Sequence, residues 1–105
     1  MNNYSIIIAQ RAYSSITECV LFVNNVSIEA ANHLYDEMIL AINSLPSFPN
    51  KYLEIPGLLI RNTKVRKMPV HDGRYVILYK VENNNVVIYD IIDTRKDSII
   101  ARISR

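Results

Sequence analysis

Apolar residues first appear as an unbroken run. Ile6-Ile7-Ile8, within Tyr4 to Ala9, is too short for a helix and rich in the β-branched side chains that suit a pleated surface, which predicts a first strand. From Ala12 the spacing changes: Ala12, Ile16, Cys19, Val20 and Val23 recur at three- and four-residue steps, the mark of an amphipathic helix that ends near Asn24-Asn25. Ser27 is placed to cap a second helix, because its hydroxyl can accept a hydrogen bond from a first-turn amide, and Glu29 sits where the helix dipole favours an anion. Ala31, Leu34, Tyr35, Met38, Ile42 and Leu45 form its predicted buried stripe. At about 1.5–3 kcal/mol for each large apolar side chain fully buried, that stripe is the strongest single contribution to the core.

Pro46 and Pro49 forbid continuation of the helix, so Ser44-Leu45-Pro46-Ser47-Phe48-Pro49 reads as an exit onto the surface, followed by a linker to about Gly57. Beyond it the pattern is that of strands: Val65 to Val70, Tyr75 to Val81 and Val86 to Ile92, separated by His71-Asp72-Gly73 and by Glu82-Asn83-Asn84-Asn85. Asn83-Asn84 suits a two-residue hairpin loop, since asparagine tolerates positive φ. The tail, Asp93 to Arg105, mixes Ile99, Ile100 and Ile103 with Arg95, Lys96, Arg102 and Arg105, which leaves a short helix and a mobile segment both open. There is no internal repeat. The predicted order is β-α-α-β-β-β in one domain spanning residues 1–105. This is an α+β, two-layer fold with two helices on one face of a mainly antiparallel sheet and the other sheet face partly open.

Half of the residues are hydrophobic and 21% are charged, as in an ordinary globular protein. The start of the chain has no basic segment before its apolar run, and no stretch reaches the ~20 apolar residues of a membrane span, so a soluble, cytoplasmic protein with no membrane partner is expected. A single cysteine excludes an intramolecular disulfide. Cys19 lies on the apolar stripe of the first helix and reads as a small hydrophobe. His33 reads as a solvent-facing helical residue, and His71 has only its turn position to recommend it for catalysis. Neither has companions at metal-ligand spacing, so no metal site and no cofactor are expected.

Net charge is only +2, but it is unevenly spread. Residues 1–57 hold two cations against five carboxylates, whereas residues 58–105 hold ten against five. The second half is therefore expected to face something anionic.

Arg66-Lys67-Met68-Pro69-Val70, a turn, Tyr75-Val76-Ile77-Leu78-Tyr79-Lys80-Val81, an asparagine turn, and Val86-Val87-Ile88-Tyr89-Asp90-Ile91-Ile92 followed by Asp93-Thr94-Arg95-Lys96-Asp97 together resemble the C-terminal half of RelE/ParE toxins of type II toxin–antitoxin systems. The helix exit at Ser44 to Pro49 is similar to theirs as well, so the resemblance covers almost the whole chain. It implies a toxin held inactive by a cognate antitoxin, whose segment folds on binding and is commonly acidic. RelE-like members cut messenger RNA in the ribosome; ParE-like members inhibit DNA gyrase.

Cleavage of RNA requires an activated 2′-hydroxyl, a stabilised phosphate and a protonated leaving oxygen, so basic side chains and a proton-transfer residue must converge. Lys64, Arg66, Lys67, Arg74, Arg95 and Lys96 are the candidate target-binding residues, expected to meet on one surface. RelE-like nucleases usually carry an arginine where this chain has Val76, and a tyrosine or histidine in the tail, where nothing after Tyr89 is either. The resemblance thus favours a ParE-like, gyrase-binding toxin, with no catalytic residue assigned. A ribosome-dependent mRNA endoribonuclease and a non-toxic nucleic-acid-binding domain are the alternatives. Tyr75, Tyr79 and Tyr89 suit either base stacking or simple packing, and Lys64, Arg66 and Lys67 suit either target binding or protection of an edge strand. Reversing Arg66, Lys67 and Arg95 to glutamate is expected to abolish toxicity in a folded chain.

Overall fold

The first strand, β1 (Ser5–Ile8), pairs in parallel with the last strand of the sheet, from Ser5 opposite Asn85 to Ile8 opposite Ile88. The structure, a computed structural model, describes residues 4–103, without the side chains of Ile100 and Arg102. The expectations for Met1 to Asn3 and for Arg105 lie outside the described residues. After β1 the chain turns directly into α1 (Gln10–Asn24), with Ala9 as an N-cap that offers no side-chain acceptor. Every apolar position predicted for this helix, Ala12, Ile16, Cys19, Val20 and Val23, faces the core.

The second helix, α2 (Ile28–Ser44), is capped by Ser27, whose hydroxyl accepts the Ala30 amide at 3.1 Å. Ala31, Leu34, Met38, Ile42 and Leu45 are buried as expected, but Tyr35 is 47% exposed. Ala41 packs against the core instead. Its inclusion rotates the buried stripe toward Leu34, because successive residues lie about 100° apart around a helix, and Tyr35 is left on the margin.

The remaining strands are β2 (Glu54–Ile60), β3 (Thr63–Val70), β4 (Tyr75–Glu82) and β5 (Asn85–Asp93), followed by a short α3 (Ile99–Ile103). The sheet order is β1-β5-β4-β3-β2, antiparallel except for the outer β1. The observed order is therefore β-α-α-β-β-β-β followed by the short α3, with one strand more than predicted among the described residues. The segment expected to be linker contains β2, an edge strand that pairs at Glu54 with Arg66 and again at Leu59 with Lys64, with a bulge between. Pro56 and Gly57 fill that bulge. Proline is tolerated on an edge because no neighbour needs its missing N–H, and Gly57 takes φ +76°. Arg61 and Asn62, both at positive φ, form the two-residue loop into β3. Asn83, at φ 55°, begins the two-residue loop between β4 and β5.

The two sheet faces carry separate clusters. Met68, Val70, Tyr75, Ile77, Tyr79, Val86, Ile88 and Ile91 meet the helices. On the other face Val65, Val76, Leu78 and Ile92 are buried beneath Ile55, Leu58 and Ile60 from β2 and Ile99 and Ile103 from α3. The face expected to be partly open is thus covered along this apolar strip, since the bulged edge strand and the tail helix each supply residues to it. Among the described residues no helix is long and apolar enough to cross a membrane.

Candidate functional site

Strand alternation sends neighbouring cations of β3 to opposite sides of the sheet. Arg66 shares the helix-side face with Met68 and Val70, directly opposite Tyr79 in register. Its guanidinium donates to the carbonyls of Tyr52 at 2.6 Å and Asn50 at 3.2 Å and pairs with Glu54 at 3.2 Å. The Tyr79 hydroxyl donates to the Pro49 carbonyl at 2.9 Å, so two facing side chains together clamp the segment leading into β2. Lys64 lies 3.5 Å from the same Glu54 carboxylate. Lys67 is exposed on the opposite face, and only its backbone amide is engaged, by Leu53 O at 3.0 Å.

The other three candidates gather where β5 leaves the sheet. Thr94 staples that exit to the β3–β4 turn: its amide donates to Arg74 O at 2.9 Å, and its hydroxyl lies 2.9 Å from both Gly73 O and Arg74 O. Arg95 and Lys96 follow, exposed, and the Arg95 amide is held by the Asp93 carboxylate at 3.0 Å. The Lys96 ammonium sits 3.5 Å from the centre of the Phe22 ring on α1. Arg74 lies 3.8 Å from Asp93 and over the Tyr75 ring at 5.3 Å, while its Nε is buried without a hydrogen-bond partner.

The six candidates therefore do not share one surface. Lys64 and Arg66 converge on Glu54; Arg74, Arg95 and Lys96 form a corner beside Asp93; Lys67 stands apart from both. Sequence distance hides this division, because the carboxylates that compensate Lys64, Arg66 and Arg74 come from other strands. Of the six, Lys64, Lys67, Arg95 and Lys96 are exposed, Lys64 beside the Glu54 carboxylate, whereas Arg66 and Arg74 are part-buried.

Potential proton-transfer groups are engaged elsewhere. In the β3–β4 turn, His71 and Asp72 both take positive φ. Glu37 of α2 holds this turn, accepting the His71 amide at 2.9 Å and lying 3.0 Å from its ring Nδ1. Tyr75 and Tyr79 are buried, and that burial raises the pKa of both phenols. They pack the core and cannot stack on bases. His33 is exposed, and Cys19 packs half-buried against the core.

Sequence reasoning missed three further cations. Arg11, Arg61 and Lys80, from α1, the β2–β3 loop and β4, line one cleft with Tyr89. A bulge makes Tyr89 the extra residue on β5, since Leu78 pairs with Asp90 and Tyr79 with Ile88. The basic residue in the otherwise apolar β4 run was the available signal.

A model of the family described as the ParE toxin of type II toxin–antitoxin system, parDE, matches residues 6–98. Among solved structures, a chain titled as the chromosomal ParDE TA system from P. aeruginosa superposes with a TM-score of 0.68 at 15% identity. The match covers 87% of this chain and 96% of that one. No curated protein sequence matches.

Proposed function

The chain belongs to the ParE toxin family of type II toxin–antitoxin systems, and from that premise we propose that it arrests growth by binding and inhibiting DNA gyrase, with the corner cations Arg74, Arg95 and Lys96 and the separately placed, exposed Lys67 as its contacts. The observation that carries this reading is the composition of the corner. It presents exposed positive charge, while the tyrosines and the histidine nearest to it are already committed: Tyr75 is buried and His71 is held by Glu37. Val76, where a RelE-like nuclease usually has arginine, is buried against Leu78 and Ile92. Binding requires complementary charge and shape but no general acid, and this surface supplies the former.

A cognate antitoxin fits two features. The helix hairpin leaves Leu21, Val26, Ile28 and Leu40 more than half exposed, an amount of apolar surface that invites a partner. The basic second half suits an acidic segment that folds on binding.

Purified chain added to a gyrase supercoiling reaction should inhibit it, and added to ribosomes translating a defined messenger should leave that messenger intact. A specific cut in the messenger with supercoiling unimpaired would replace this reading with the ribonuclease one. Normal growth of cells induced to make the chain alone would remove both toxin readings.

A further inference from the structure

A cleft of about 460 Å³ opens where β1 passes into α1, lined by Arg11, Arg61 and Lys80 with Gln10, Val87 and Tyr89 among them. Three cations from three separate elements converge there, and two are fixed in place. Lys80 is only 6% exposed, with its Nζ 3.3 Å from Glu82, which also accepts the Thr63 hydroxyl at 2.8 Å. Arg11 pairs with the buried Asp90 at 3.3 Å, donates to the Tyr89 hydroxyl and lies 4.3 Å over the Tyr89 ring. Arg61 is exposed at the rim and makes the third charge, so the cations outnumber the two carboxylates that hold them. The first turn of α1 itself holds no acidic residue, and Ala9 offers no capping side chain, so the positive end of the helix dipole adds to the sign of the cleft.

A buried lysine that lines one cleft with two arginines, where cations outnumber carboxylates, makes a surround favourable to an anion. The volume is that of a small-ligand site, and Val87 and Tyr89 supply apolar wall beside the charges. We propose that this cleft binds a phosphate-bearing small molecule, its phosphate charge met by Arg11, Arg61 and Lys80. The cleft lies at the end of the meander marked by the β2–β3 and β4–β5 loops, whereas the corner cations lie at the opposite end, beside the β3–β4 turn. The two inferences therefore stand or fall separately.

The test is calorimetric titration of the purified full chain with pyrophosphate and with ADP at low ionic strength. Arg61→Asn is the informative variant, because asparagine accepts the φ of 50° at that loop position while the charge is lost. It should weaken binding about tenfold or more, the range expected for loss of one charge-assisted hydrogen bond. Lys51→Ala, which removes one positive charge outside the cleft, should not. Lys80→Met, checked for an intact thermal transition, should repeat the loss. Tighter binding of ADP than of pyrophosphate would identify a nucleotide as the source of the phosphate; equal binding would identify a simple phosphate. No saturable binding of either at millimolar concentration would overturn the proposal. So would affinity unchanged in Arg61→Asn or equal weakening in Lys51→Ala.

Discussion

Arg66→Ala should destabilise the fold before it affects any target. The side chain is 19% exposed and makes two bonds to backbone carbonyls, the shorter at 2.6 Å to Tyr52. A hydrogen bond with one charged partner contributes about 1.5–3 kcal/mol. The second bond, to Asn50, is exposed, and Glu54 is 39% exposed, so water replaces most of what those contacts supply. One full charged bond plus lost stem packing gives roughly 2–3 kcal/mol. At about 4–8 °C per kcal/mol for a domain of this size, the melting temperature should fall by roughly 8–24 °C. Arg66→Lys should recover only part of this, because an ammonium cannot span two carbonyls as the guanidinium fork does. The adjacent Lys67→Ala, on the opposite face with no side-chain partner clamped, should change stability by less than about 0.5 kcal/mol. Thermal melts of the three variants followed by circular dichroism measure all of this. An Arg66→Ala transition within about 3 °C of the parent would refute the assignment of Arg66 as a clamp. The same reasoning corrects the triple charge reversal expected to act on a folded chain: with Arg66 included, lost toxicity would report lost structure.

Ser27→Ala removes the acceptor for the Ala30 amide and should cost about 1 kcal/mol, seen as a lower midpoint in urea with an unchanged slope. Burial raises the pKa of Tyr75 and Tyr79 above the ordinary phenol value of 10.0. Their contribution is therefore fully present below pH 10 and is lost as pH rises through the folded-state values, where the unfolded chain ionises first. Melting temperature measured from pH 8 to 11 should fall at the alkaline end, and Tyr75→Phe with Tyr79→Phe should flatten that fall; an identical profile in the double variant would contradict the burial argument. Lys67→Glu combined with Arg95→Glu should abolish growth arrest while the melting transition stays in place, read by induction of the chain alone.

The two long helices were legible because each has a single buried stripe at helical spacing, and the three central strands because their β-branched and aromatic apolar runs, buried on both faces in β4, are bounded by turn residues. Ser27 and Asn83 acted locally, as their side-chain chemistry predicts. The β2 strand was hidden because Pro56 and Gly57 interrupt its alternation and its pairing with β3 is broken by a bulge. The helix in the tail was one of two readings, and what selects it is tertiary: Ile99 and Ile103 find Val76, Leu78 and Ile92 only once the sheet exists. The candidate site was legible in residue type but not in direction. Arg66 and Lys67 are adjacent in sequence, yet β alternation sends one to clamp a loop and the other to solvent. Glu54, the common partner of Lys64 and Arg66, lay in the stretch read as linker. Arg11, Arg61 and Lys80 are too far apart along the chain for any local pattern to join them.

The claim on which the functional account rests is that the exposed corner cations engage gyrase. Surface-immobilised gyrase titrated with the purified chain, and with its folded Arg95→Glu/Lys96→Glu variant, tests it most directly. Saturable binding that weakens with added salt and falls at least about tenfold in the variant is the predicted result. Binding of equal strength by parent and variant, or no binding by the parent, would contradict it.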